Sequence, residues 1–238
     1  MKASYCRYIL KFLVPATTSR GTYTEKETYF LKLEDEEVPG AFGIGECAVF
    51  RGLSCDDVPE YEDKLRELCR NISNDCDTDL RNFPSIVFGL ETAIYDYSNG
   101  CRRLPFPSDF TKGNEVIPIN GLVWMGTKDE MISRIDEKIK AGFNTIKLKV
   151  GAIDTDSELD LVKHIRKVFP PEALTIRLDA NGGFHKDEAL SILEKFSKYG
   201  IHSIEQPIKS GHWDDMAEIC RNSPIPIALD EELIGVNS

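Results

Sequence analysis

Nothing in this chain reads as a membrane segment. No run approaches the roughly 18 apolar residues of a bilayer-spanning helix, and the N-terminus, Met1-Lys2-Ala3-Ser4-Tyr5-Cys6-Arg7-Tyr8, lacks the apolar core of a secretory signal. Positive charge is also short: 29 Lys and Arg stand against 40 Asp and Glu, a net charge of −11. Nucleic acid and anionic membranes bind through excess cationic charge, so neither is expected as a partner. Histidine is scarce, and the four present (His164, His185, His202, His212) have no metal-ligand spacing. The seven cysteines (Cys6, Cys47, Cys55, Cys69, Cys76, Cys101, Cys220) are odd in number, scattered, and include no C-x-x-C pair. That argues against a disulfide scaffold or zinc framework and for free thiols in a cytoplasmic protein. What is present is a globular composition, 41% hydrophobic and 29% charged, in 238 residues, enough for one large domain or two small ones.

The most informative stretch is Thr145-Ile146-Lys147-Leu148-Lys149-Val150-Gly151. It reads as a short strand closed by glycine. Side chains alternate across a strand, so Lys147 and Lys149 share one face while Ile146, Leu148 and Val150 share the other. Two ammonium groups in a largely buried strand are costly unless anions meet them. Downstream, Asp179, Glu205 and Asp230 each close a short apolar strand. Lys149 to Asp179 is 30 residues, Asp179 to Glu205 is 26, and Glu205 to Asp230 is 25. A β/α barrel spends about 30 residues per strand–helix unit. The charges therefore recur once per unit, at the carboxyl ends of successive parallel strands, and in a barrel they meet at one mouth. Three converging carboxylates repel one another without a cation; Mg²⁺ suits such an oxygen set and leaves coordination places for a substrate carboxylate.

Residues 1–110 follow a different pattern. Strands are expected over residues 5–14, 22–33 and 41–48, with a turn-rich loop at 15–21. Two helices follow, one starting near Asp56 or Asp57 and one after Phe83-Pro84 with Ser85 near its cap. Glu91 and Asp96 in the second helix read as surface or capping charges. This is an α+β module suited to capping a second domain. Pro105, Pro107 and Gly113 mark a linker, and residues 114–238 alternate strand and helix. The expected strands are 116–123, the lysine strand, two ending at Asp179 and Glu205, and 226–230. The expected fold class is thus α/β: a capping domain followed by a partial barrel with five of eight strands. A five-stranded open sheet leaves unpaired edges, so the chain is expected to be incomplete relative to the working protein; a half-barrel pairing with another chain is the alternative. Assembly as a homo-oligomer is left open.

These residues resemble the enolase superfamily in its muconate-lactonizing-like branch. The likeness is carried by Lys147-Leu148-Lys149, Arg177-Leu178-Asp179-Ala180-Asn181, Ile204-Glu205-Gln206-Pro207 and Leu229-Asp230-Glu231, with Gly43-Ile44-Gly45-Glu46 matching the family's capping domain. Phe50-Arg51-Gly52-Leu53-Ser54 and Ile119-Asn120-Gly121-Leu122-Val123-Trp124-Met125-Gly126 carry a narrower likeness to the o-succinylbenzoate synthases of menaquinone biosynthesis.

The resemblance implies an enzyme that removes a proton α to a carboxylate, using Mg²⁺ (Mn²⁺ as the alternative) on a small-molecule substrate. Asp179, Glu205 and Asp230 would be the metal ligands. Lys149 would be the base, its neutral form favoured by the like charge of Lys147 and the metal. Lys147 would supply positive charge towards the substrate carboxylate. Asn181 and Glu231 would orient the ligands, and Arg177 would be an internal ion-pair partner. The loops at residues 17–21 and 50–53 match mobile cap loops, with Arg20 and Gly52 as substrate contacts. The implied reaction is hydro-lyase formation of o-succinylbenzoate from 2-succinyl-6-hydroxy-2,4-cyclohexadiene-1-carboxylate. A dipeptide epimerase or N-succinylamino acid racemase on the same scaffold is the alternative, and an inactive fragment a third. The family's further lysine, on the sixth strand, has no counterpart among these residues.

Overall fold

A computed structural model describes residues 1–18, 21–73 and 77–236. Its contacts divide the chain into two units, Met1–Ile117 and Pro118–Ser238.

The first unit is built on strands β1 (Lys2–Thr18), β2 (Gly21–Glu34) and β3 (Phe42–Cys47), paired antiparallel in the order β1-β2-β3. Where a loop is expected at residues 15–21, the described residues 15–18 and 21 are strand: Ala16, Thr17 and Thr18 pair with Tyr23, Thr22 and Gly21 after the register breaks between Lys11 and Ala16. The break admits Pro15, because an edge strand tolerates a residue without an N–H at an irregularity. On β2, Tyr29, Leu31 and Leu33 alternate into the core. They meet Tyr61, Leu65 and Leu68 of α1 (Tyr61–Asn71) and Ile86 and Ala93 of α2 (Pro84–Ser98).

Helix α1 begins later than expected because Asp56 serves another element. Its buried carboxylate accepts from the Ser85 backbone N–H at 2.9 Å and the Ser85 hydroxyl at 2.6 Å, so it satisfies the first turn of α2 rather than α1. Asp96 also departs from expectation. It is buried, and accepts from the backbone N–H groups of Ile44 (3.0 Å) and Arg103 (2.6 Å) and from the Arg103 guanidinium. Burial opposes its ionisation, but those donors prevail and hold its carboxyl below the usual range. Asp96 thus ties β3 to the chain beyond α2. Glu91 is exposed, as a surface charge should be.

Backbone touches backbone where β3 crosses α2. A Cβ on Gly45 would lie 1.7 Å from the Gly89 carbonyl oxygen and 2.7 Å from its carbon. Neither atom can rotate away. Gly45→Ala is therefore expected to cost about 3 kcal/mol, the upper end of overpacking penalties, read as a lowered urea midpoint at unchanged m-value.

The second unit alternates strand and helix: β4 (Gly121–Val123), α3 (Lys128–Lys140), β5 (Thr145–Lys149), α4 (Thr155–Arg166), β6 (Thr175–Asp179), α5 (Lys186–Ser197), β7 (Ile201–Glu205), α6 (Trp213–Asn222) and β8 (Ile227–Ala228), then a 3₁₀ turn, Glu231–Leu233. The five strands are parallel, in the order β4-β5-β6-β7-β8. Local signals explain the helix starts: Thr127 and Glu130 form a reciprocal capping box on α3, and Asp154 caps α4. Ile146, Leu148, Ile176, Leu178 and Ile204 of the sheet pack with Ile135, Val162, Leu193 and Ile219 of the helices in one core.

Two strands are shorter than expected. Val116, Ile117 and Ile119 lie exposed ahead of β4. β8 stops at Ala228, because the Asp230 N–H turns to the Gln206 side chain at 3.2 Å instead of extending the ladder. Among the described residues, no helix is long and apolar enough to cross a membrane.

Candidate active site

The strand register builds the site. Lys147 lies beside Arg177, Lys149 beside Asp179, and Asp179 beside Glu205. With Ile146, Leu148 and Val150 buried in the core, the alternation of β5 turns both lysines to the opposite face of the sheet. There Lys147 Nζ donates to Glu205 at 2.7 and 2.9 Å and lies 2.9 Å from Asp179 Oδ2. Lys149 Nζ donates to the same Asp179 oxygen at 2.5 Å and to Asn181 Oδ1 at 2.7 Å. It also lies 6.0 Å from the centre of the Trp124 ring, at the outer limit of a cation–π contact.

Asn181 links the groups. Its backbone N–H donates to Asp179 Oδ1 at 3.1 Å, and its side-chain amide donates to Glu231 Oε1 at 3.1 Å. Its φ of +44° permits this reach. Glu231 Oε2 is buried without a hydrogen-bond partner among the described residues.

The electrostatics separate the two acids. Asp179 is fully buried, which opposes its ionisation, yet Lys149 and Lys147 hold its carboxyl below the usual range. Glu205 is raised, first by burial and then by the charge of Asp179, against the pull of Lys147. Burial favours neutral Lys147, but the bonds to Glu205 and Asp179 outweigh it and raise its pKa. These two acids therefore favour the charged form of Lys147.

Not every expected residue joins them. Asp230 is exposed in the turn after β8, and among the described residues no group of three His, Cys, Asp or Glu side chains is gathered closely enough to hold a metal. Arg177 is exposed and makes no ion pair among the described residues, contrary to expectation. Its strand neighbour is Lys147, a like charge, and Asp179 is already taken by two ammonium groups. Arg20 lies outside the described residues. Gly52 belongs to the first unit, on an exposed turn with φ of +76°, and its N–H donates to Asp57 at 2.7 Å. That turn is tied down by Arg51, which bridges Asp57 at 2.6 Å and Glu27 at 3.2 Å. A cavity of about 450 Å³ lined by Gly182, Phe184, His185, Ile208, Lys209 and His212 is not lined by Lys147, Lys149, Asp179 or Glu205.

The donor set still fits a divalent cation. Asp179 and Glu205 aim oxygens at one ammonium nitrogen within 2.9 Å, so the position between them accepts positive charge. Both are hard oxygen donors of the kind Mg²⁺ takes.

Comparison with known proteins identifies the family. A model described as "Enolase C-terminal domain-like" matches residues 130–238. The o-succinylbenzoate synthase of Desulfotalea psychrophila is 39% identical over all of this chain and 73% of its own length. The chain belongs to the enolase superfamily. Its enolase-type fold also matches the crystal structure of MenC from D. psychrophila, with a TM-score of 0.83 and 36% identity over 100% of this chain and 73% of that one. The o-succinylbenzoate synthase of Thermosynechococcus elongatus, solved with Mg in its active site, matches with a TM-score of 0.81 and 25% identity, covering 97% of this chain and 69% of that one. A hydrophobic dipeptide epimerase of Citrifermentans bemidjiense is 28% identical over 86% of this chain and 59% of its own length. The five parallel strands therefore correspond to part of an enolase-type barrel, and the chain is similar to enzymes of that superfamily.

Trp124 entered the sequence reading only within a motif. Gln206 likewise stands only within a motif and carries no charge, and Glu232 stands among other acids.

Proposed function

We propose that the protein is a Mg²⁺-dependent hydro-lyase forming o-succinylbenzoate from 2-succinyl-6-hydroxy-2,4-cyclohexadiene-1-carboxylate. The observation that carries the proposal is the pairing of Lys147 and Lys149 with Asp179 and Glu205 on one face of a parallel sheet. The substrate assignment is supported by the match to a synthase at 39% identity over all of this chain and 73% of that protein.

Asp179 and Glu205, with Asp230 brought in from the following turn, would hold the metal. When bound, Mg²⁺ supplies positive charge that stabilises the substrate carboxylate as its α-carbon loses a proton. Lys149, as the neutral amine and with its lone pair turned towards the substrate, takes that proton at Nζ and becomes the ammonium. It returns the proton to the departing hydroxyl. One C–H and one C–O bond break, water leaves, and the ring becomes aromatic. Lys147 remains protonated and offsets carboxylate charge. Asn181, bonded to both Asp179 and Lys149, keeps base and ligand in register.

The test is direct: the purified protein is supplied with this cyclohexadiene acid and Mg²⁺, and o-succinylbenzoate is followed by ultraviolet absorbance. Product that disappears with EDTA and returns with Mg²⁺ is the expected result. Epimerisation of a dipeptide or racemisation of an N-succinyl amino acid without synthase turnover supports the second reading, which the similarity to dipeptide epimerases favours. Inertness towards every substrate would leave a non-catalytic chain.

A further inference from the structure

Gln206 is fully buried, directly follows Glu205, and has φ of +40°. Side-chain-bearing residues avoid that region unless their surroundings hold them there. Here hydrogen bonds do so. The main-chain N–H donates to Ala228 O at 2.9 Å, and the carbonyl accepts from Gly182 N–H at 2.7 Å. Side-chain Oε1 accepts from the N–H groups of Asp230 and Glu232, each at 3.2 Å. Side-chain Nε2 donates to Ile208 O at 3.0 Å and to Glu232 Oε2 at 3.1 Å. Glu232 is 3% exposed, and its other oxygen accepts from Gly211 N–H at 2.8 Å.

These bonds run to three separate loops. Gly182 follows Asn181, Gln206 itself follows Glu205, and Asp230 and Glu232 flank Glu231. Every member of the candidate site beyond β5, except Asp179, is one residue or less from a Gln206 contact. The geometry points to Gln206, locked by Glu232, as the positioning residue that sets where Asp230 and Glu231 stand relative to Glu205 and Asn181, and hence how tightly the protein binds a divalent ion. The inference rests on the metal reading of the preceding section.

The residue type matters. The position needs an acceptor facing two N–H groups and a donor facing two oxygens, which an amide supplies and a carboxylate does not. Gln206→Glu would set a carboxylate against Glu232 and the Ile208 carbonyl. Exchanging both, Gln206→Glu with Glu232→Gln, restores a donor–acceptor match between the two side chains.

Mg²⁺ affinity measured by titration calorimetry, with circular dichroism as the check on folding, tests this. Gln206→Glu is expected to weaken Mg²⁺ binding about 10- to 100-fold, the usual effect of losing a group that orients metal ligands, and the double exchange, which restores the bond to residue 232 but not that to the Ile208 carbonyl, to recover part of that loss. A merely structural residue lowers the melting temperature but leaves the folded fraction's affinity intact and shows no recovery. A folded Gln206→Glu protein with affinity within about twofold of the unaltered protein overturns the inference alone. If that variant does not fold, Glu232→Gln decides: weaker binding supports the role and unchanged binding refutes it. Absence of Mg²⁺ binding in the unaltered protein, seen before any variant is made, overturns the metal reading and this inference together.

Discussion

Lys149→Ala is expected to lower turnover of the cyclohexadiene acid by about 10³-fold or more, within the range by which a positioned general base accelerates proton transfer. The strand places the Lys149 amine between Asp179 and Asn181, at 2.5 and 2.7 Å. The same substitution removes no proposed metal ligand. Asp179 keeps Lys147 as a partner at 2.9 Å, so Mg²⁺ affinity should stay within a few-fold. Two measurements separate the effects: solvent-deuterium exchange at the substrate α-carbon and calorimetric Mg²⁺ titration. Exchange persisting in Lys149→Ala would place the base elsewhere. Loss of both exchange and Mg²⁺ binding would mean that the lysine organises the site rather than moving the proton.

Asp179→Ala is expected to damage both fold and site. Asp179 is fully buried and is the shared anion of two lysines whose side chains are 20% and 13% exposed. Removing one partner of a buried ionic cluster leaves charge uncompensated, at a typical cost of about 3–5 kcal/mol. Glu205 offsets part of this, since it remains on Lys147 at 2.7 Å, whereas Lys149 keeps the uncharged Asn181 Oδ1 and the distant Trp124 ring. The urea midpoint should fall accordingly, and no saturable Mg²⁺ binding should remain in the folded fraction. A stable Asp179→Ala protein with intact Mg²⁺ binding would remove Asp179 from the metal site.

Much of the fold was legible because the second unit repeats one physical unit. Apolar alternation, an amphipathic helix and a stop recur, and Thr127 and Gly142 mark boundaries through chemistry that needs no distant partner. The lysine strand was legible for the same reason: a period of two puts Lys147 and Lys149 on one face whatever the surroundings. The misreadings share an opposite cause. Asp56, Asp96 and Arg177 are charged residues whose roles depend on groups far along the chain. Asp56 meets Ser85 and Asp96 meets Ile44, and a local window contains neither partner. Arg177 was assigned an ion pair because an acid stood two residues away, but the strand register set Lys147 beside it and gave that acid to the lysines.

Strand order, the shared face of two lysines and the recurrence of acids at strand ends follow from short-range periodicity, which the residues carry in their own spacing. Which acid takes which ammonium, why Glu205 is pushed up while Asp179 is held down, and how an uncharged glutamine joins three loops are matters of distances between segments remote in the chain. Hydrogen bonds and Coulomb interactions act over a few ångströms of space, and those distances exist only once the strands have paired.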